Sequence, residues 1–209
     1  MEKKLVGSSC KCGLKNDDGR VVVHIPDTFS AKVTCDLFKY LSMKGIRTHF
    51  IDHRNVTSFN AIHCKPLGFR VAVKSGDGEE GIHTIDFLLN DCTRNNPIIC
   101  AEEQYWRLLH EGEEIGKIEP LLSVREEMMA RSMADNAFKA LKRAFQEKAD
   151  ADLLELCLEF GRPTCGYWVG KLVLAGIITS KECRVSNGDK KNAGNGDFHL
   201  AVLTEKFFS

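Results

Sequence analysis

The chain has 209 residues, and its 29 Lys and Arg balance 29 Asp and Glu, so the formal net charge is zero with the seven His neutral. Hydrophobic residues make up 43% and include twelve Phe, enough for the core of one large or two small domains and unlike a disordered chain. Balanced charge argues against a partner bound through a phosphate backbone, and the longest apolar run, Leu172 to Ile178 broken by Gly176, is too short to span a bilayer. Neither nucleic acid nor membrane is an expected partner.

The nine Cys are many and odd in number. Met1 to Lys4 is basic, but no apolar stretch follows, so no secretory signal is read and a cytoplasmic setting with free, reduced thiols is expected. Only Cys10 and Cys12 lie close together, and there is no C-x-x-C pair. His49 and His53 sit four apart on what reads as a strand end, where they do not converge as they would on a helix, so no zinc site is expected.

Leu5 to Leu14 and Arg20 to Ile25 read as a hairpin around the turn Lys15-Asn16-Asp17-Asp18-Gly19, stopped by Pro26. Val33, Leu37, Leu41 and Lys44 recur at helical spacing and predict a helix from Ser30 to Lys44, with Gly45 at its end. Strands follow at Ile46–Ile51 and Phe69–Lys74. The glycine-bearing loop Ser75–Gly81 is the expected domain boundary, dividing a β-rich lobe (1–81) from an α+β lobe (82–209). Ile85–Leu89 restarts a strand that runs into the turn Asn90–Pro97, and a short helix is expected from Pro97.

The strongest helix signal runs from Ser123 to about Lys148. Ser123-Val124-Arg125-Glu126 is a capping box, and Ala130, Ala134, Ala137, Phe138, Leu141 and Phe145 form one apolar stripe. Met128, Met129 and Met133 are read as core fillers. After Asp150 the period becomes two: Leu154, Leu156, Leu158 and Phe160 alternate with Glu155, Cys157 and Glu159. Glycines then lead to a second strand, Lys171–Ile178, and the polar tail from Ser186 to Asp197 reads as loose until His199–Leu203. The pattern predicts an α+β protein of two lobes, with mainly antiparallel sheets flanked by helices and a small-molecule cleft between the lobes.

No P-loop, dinucleotide fingerprint or nucleophile elbow occurs. Instead, Lys44-Gly45-Ile46-Arg47-Thr48-His49-Phe50, the turn around Asn96-Pro97, the long helix, Leu158-Glu159-Phe160-Gly161 and a hairpin ending in Cys183-Arg184-Val185 follow one another. In this order they resemble the phosphoribosylaminoimidazole-succinocarboxamide synthase (SAICAR synthetase) family over roughly residues 4–187. That family carries K-G-I-x-T-H, K-D-D…D-P, K-L-E-F-G and D-E-I-S-P-D-[ST]-x-R at these places. The chain departs from the pattern as often as it keeps it. The opening E-G-K-[AT]-K is Val6-Gly7-Ser8-Ser9-Cys10-Lys11, the lysine of K-L-E-F-G is Cys157, the acidic pair of D-E-I-S is Gly176-Ile177, and S-P-D is Thr179-Ser180-Lys181.

The resemblance implies a ligase that joins L-aspartate to the carboxylate of carboxyaminoimidazole ribonucleotide with ATP and Mg2+. ATP converts the poor acyl donor to an acyl phosphate, which the aspartate amine displaces. Such a site needs cations and Mg2+ at the triphosphate and an Arg fork at a substrate phosphate. On that pattern Glu159 is the expected magnesium and nucleotide ligand and Lys11 a nucleotide contact. Lys74 with Ser75, Asp91 and Arg184 are the expected substrate contacts, and a homo-oligomer is implied. A changed ligase or phosphotransferase, or a non-catalytic nucleotide-binding protein on the same fold, remain open beside this reading.

Overall fold

In this computed structural model the described residues are 11–12, 19–76, 82–90, 98, 122–186 and 196–208. In chain order the elements are β1 (Lys11–Cys12), β2 (Arg20–His24), α1 (Thr28–Met43), β3 (Phe50–Asn55), β4 (Ser58–Ile62), β5 (Cys64–Ser75), β6 (His83–Leu89), α2 (Val124–Ala144, continued by a π-helical turn Phe145–Ala149), β7 (Asp152–Pro163), β8 (Val173–Ala175), β9 (Cys183–Ser186) and α3 (Gly196–Glu205, continued by a 3-10 turn Lys206–Phe208). The α+β class and the antiparallel sheets are as the sequence predicts.

A first sheet has strand order β1-β2-β4-β3, and a second has β6-β5-β7-β8 with β9 also on β7. The apolar alternation of Val21 and Val23 on β2 buries against Phe59 and Ala61 of β4 and against Ala31 and Cys35 of α1. The other side of α1, through Val33, Leu37, Phe38 and Leu41, joins the larger core with Val71, Val73, Leu156, Leu158, Phe160 and α2. One helix thus serves both cores, because its apolar residues cover more than a single stripe.

The strands on either side of the 76–82 loop, β5 and β6, are neighbours in one antiparallel hairpin. The change of sheet falls at His63, between β4 and β5, so a division at 81 cuts through a ladder instead of separating two sheets. The strand expected at Ile46–Ile51 lies later, at Phe50–Asn55, and makes a hairpin with β4 whose polar residues carry little periodic signal. Residues 47–49 instead stitch the sheets together. Thr48 forms a parallel bridge with Leu174, His49 N–H donates to Leu174 O at 2.8 Å and Leu174 N–H to Arg47 O at 2.9 Å.

Helix α2 begins at the expected capping box, with Glu126 N–H donating to Ser123 Oγ and Ser123 N–H to Glu126 Oε2. Its whole expected stripe, Ala130 to Phe145, is buried. Met129 and Met133 pack at the edge of the core, but Met128 is exposed, so it is no core filler. Residues 196–208 are helical, and Leu200, Leu203 and Phe207 enter the main core. Phe207 meets Phe145 and Tyr40 at ring-centroid distances of 4.8 and 5.0 Å, so this stretch is a structural element. Most of the first hairpin's tip and the turn at 91–97 lie outside the described residues. No described helix is long and apolar enough to cross a membrane.

Candidate functional site

The second sheet has two unlike faces. Val71, Val73, Leu156 and Leu158 pack toward α2, so the alternate residues of β5 and β7 must stand on the opposite side. Antiparallel register then sets polar residues beside one another across the strands. Arg70 is opposite Glu159, Ala72 opposite Cys157, Lys74 opposite Glu155, and Glu155 opposite Arg184 on β9.

At one end of this face Arg70, Asn90 and Glu159 form a connected group. Arg70 donates through its guanidinium to Asn90 Oδ1 at 2.6 Å, and Asn90 Nδ2 stands 3.4 Å from Glu159 Oε1. Two backbone features aim these side chains. The β5–β7 register slips between Pro66 and Arg70, and Gly68 within that slip has φ +73°, a conformation that glycine adopts without strain. Asn90 N–H then donates to Gly68 O at 2.8 Å, which fixes Asn90 over the bulge. Beneath the carboxylate lies Gly176 with φ +76°, where a Cβ would come within 2.5 Å of Glu159 Oε2.

Burial pushes the Glu159 carboxyl above the usual range, opposed by the Arg70 guanidinium and Asn90 and reinforced by the like charge of Glu182. Glu182 is itself pinned, accepting from Thr179 N–H at 3.0 Å and from the Thr179 hydroxyl. Burial also drives the Cys157 thiol up to about 12, so between Arg70 and Glu182 it stays neutral at physiological pH and is a poor nucleophile.

At the other end, Glu155 sits between Lys74 Nζ at 3.7 Å and Arg184 at 3.4 Å. Four strand residues, about 13 Å, separate Glu155 from Glu159. The structure therefore brings Glu159, Lys74 and Arg184 onto one face, with Glu159 and the two cations at opposite ends. Ser75 alternates to the other face, where its hydroxyl receives Lys142 Nζ from α2 at 3.0 Å, so it does not stand beside Lys74. The backbone of Lys11 pairs with His24, while its side chain and all of Asp91 lie outside what is described.

Arg70, Asn90 and Glu182 were not among the residues expected from sequence. Arg70, Ala72 and Lys74 do alternate on their strand, which marks a shared face. The pairing of Arg70 with Glu159, however, depends on a register across 88 intervening residues and on the bulge. Among the described residues no three His, Cys, Asp or Glu converge on a point that could hold a metal ion. Glu159 and Arg70 face each other across the ladder and are linked through Asn90.

No family model matches the chain. It is 28% identical over 165 residues to phosphoribosylaminoimidazole-succinocarboxamide synthase of Thermotoga maritima, covering 71% of this chain and 63% of that protein. It is 27% identical over 179 residues to a bifunctional purine synthesis protein of Dictyostelium discoideum, covering 78% of this chain and 17% of that one. The chain thus spans less than two thirds of these relatives' length. Among solved structures, phosphoribosylaminoimidazole-succinocarboxamide synthase of Ehrlichia chaffeensis superposes with a TM-score of 0.74 at 17% identity, covering 96% of this chain and 97% of that one. SAICAR synthetase of Pyrococcus horikoshii gives 0.73 at 17% identity over 96% and 97%. In sequence along most of the chain, and in fold along nearly all of it, the protein is similar to SAICAR synthetases.

Proposed function

We propose that the chain is an ATP-dependent carbon–nitrogen ligase acting on L-aspartate and carboxyaminoimidazole ribonucleotide, a step of purine synthesis. The observation that carries this reading is the polar face of the second sheet, where Glu159 of the L-E-F-G strand stands with Arg70 and Asn90 and faces the same side as Lys74 and Arg184. A SAICAR synthetase in complex with ADP shares this fold with a TM-score of 0.73 at 17% identity, which supports a nucleotide as one ligand. In this reading the four-stranded sheet forms the nucleotide-side lobe, with Lys11 at its hairpin.

The γ-phosphoryl group of ATP passes to the substrate carboxylate, giving ADP and an acyl phosphate. The aspartate amine then attacks the acyl carbon, forming the C–N bond and releasing phosphate. Lys74 and Arg184, at the Glu155 end, suit the phosphate of the ribonucleotide, because a guanidinium presents paired N–H groups to phosphate oxygens. Asp91 serves the amino-acid side. Mg2+ would enter with the nucleotide and neutralise its phosphates, since the described residues build no cage of their own for it.

A second reading, a nucleotide-binding protein without ligase activity, is favoured by one observation. The place of the family's strand lysine holds a half-buried thiol that desolvation keeps uncharged at neutral pH. The test is ADP release from ATP in the presence of both substrates, with growth of a purine-requiring strain as its counterpart. Activity that falls about 100-fold or more in Glu159→Ala and in Arg184→Ala supports the ligase. ATP binding without ADP release selects the second reading. Full activity in both variants removes this face from the mechanism.

A further inference from the structure

The surroundings of Glu159 differ from what a divalent cation needs. Mg2+ takes six oxygens in near-octahedral array and reaches proteins through carboxylates with an open side. Here Oε1 is turned to Asn90, and Oε2 lies against Gly176 with no room between them for a Cβ on that residue. The residue directly across the ladder is a cation, Arg70, which is itself tied to Asn90. The nearby carboxylate of Glu182 is occupied by Thr179 N–H and hydroxyl. Arg70 Nε, meanwhile, is buried with no hydrogen-bond partner among the described residues, an unmet donor of the kind that an anionic ligand satisfies.

We propose that the guanidinium of Arg70 takes the place of a metal ion at Glu159: the carboxylate is joined to Arg70 through Asn90 and is no metal ligand, and the positive charge that an anionic ligand meets there is the guanidinium. Glu159 and Asn90 then act as positioning residues for Arg70. A guanidinium suits this place because it is weakly hydrated and planar and keeps its charge on burial, while its unused N–H edge donates to phosphate or carboxylate oxygens. The neutral Cys157 beside it can supply no charge of its own. The inference needs only the environment of Glu159, so it stands or falls whether or not ADP is released.

The experiment measures Mn2+ binding to the full chain without nucleotide, by water-proton relaxation, in four proteins: the natural chain, Glu159→Gln, Arg70→Met and the double variant. The expected result is that Glu159→Gln leaves Mn2+ affinity within twofold of the natural chain. Arg70→Met should create a site at least tenfold tighter, which the double variant loses. Mn2+ affinity that falls fivefold or more in Glu159→Gln alone would overturn the proposal, as would an Arg70→Met protein that folds and gains no site. Arg70→Gln replaces Arg70→Met if the latter does not fold, and the comparison of the natural chain with Glu159→Gln is decisive without either. A parallel arm reads ATP binding by thermal shift in EDTA and in Mg2+. Arg70→Met should lose at least tenfold in EDTA relative to the natural chain. If neither protein binds ATP, the nucleotide reading fails while the Mn2+ result still decides the role of Arg70.

Discussion

The two faces of the second sheet come from the same strands and obey opposite rules. On the inner face Phe160 stacks on Phe69 with ring centroids 5.8 Å apart and planes 12° from parallel, and Phe69 stacks in turn on Phe87. Energy there follows area and fit, so neighbouring residues can exchange roles if volume is kept. The outer face has charges whose meaning lies in pairing. Glu159 is set by burial against the opposing charge of Arg70, and Glu155 stands between Lys74 and Arg184. The inner face makes the fold tolerant of a diverged sequence, while on the outer face, in the function proposed above, single residues decide activity.

The contrast is best broken first from the inside. Phe160→Ala removes a fully buried ring from the aromatic stack and should cost about 3–5 kcal/mol in denaturant unfolding. A loss under about 1 kcal/mol would mean that the stack is not central to the core. The next effect comes from acid. His49 is buried between the rings of Phe38 and Phe59, at 5.2 and 5.6 Å, with Nε2 unpartnered among the described residues, and burial lowers its pKa to about 4. The folded state therefore holds it neutral, while the unfolded chain takes up a proton below about pH 6.5. Its contribution is complete above that pH and declines as pH falls toward 4, by up to about 3 kcal/mol. His49→Phe should flatten this part of the stability–pH curve, and an unchanged slope would acquit His49. The smallest effect lies outside. Arg184→Ala breaks a pair in which Arg184 is 65% exposed and should change stability by less than about 0.5 kcal/mol, however strongly it affects catalysis. A larger change would mean that the outer face also supports the fold.

The same contrast explains what could be read from the chain before its structure. The inner face is written in periodicity: the stripe from Ala130 to Phe145, the capping box at Ser123 and the alternation from Leu156 to Phe160 fold as the pattern predicts, whereas Leu153 and not Leu154 is buried, ahead of a register shift. Glu159 was legible as an outward residue for the same reason. Arg70 was not, because its partner is chosen by a register that slips at Gly68, and no local pattern reports a slip between strands far apart in sequence. The β3–β4 hairpin escaped because Asp52 to Asn55 are polar and exposed on both sides. Helix α3 was hidden behind a polar Gly- and Asn-rich run, although Leu200, Leu203 and Phe207 carry its core contacts.

The backbone bridge between Thr48 and Leu174 has a further consequence. Strand β8 has three residues and is the last rung of the main ladder, flanked by β7 on one side. Residues 47–49 cover its other side with two hydrogen bonds, so no row of open amides is left at Leu174 for another molecule to extend. A short strand that would invite intermolecular pairing is thereby sealed by its own chain. The seal also means that the two sheets share a seam, along which neither can peel away without breaking the other's backbone contacts.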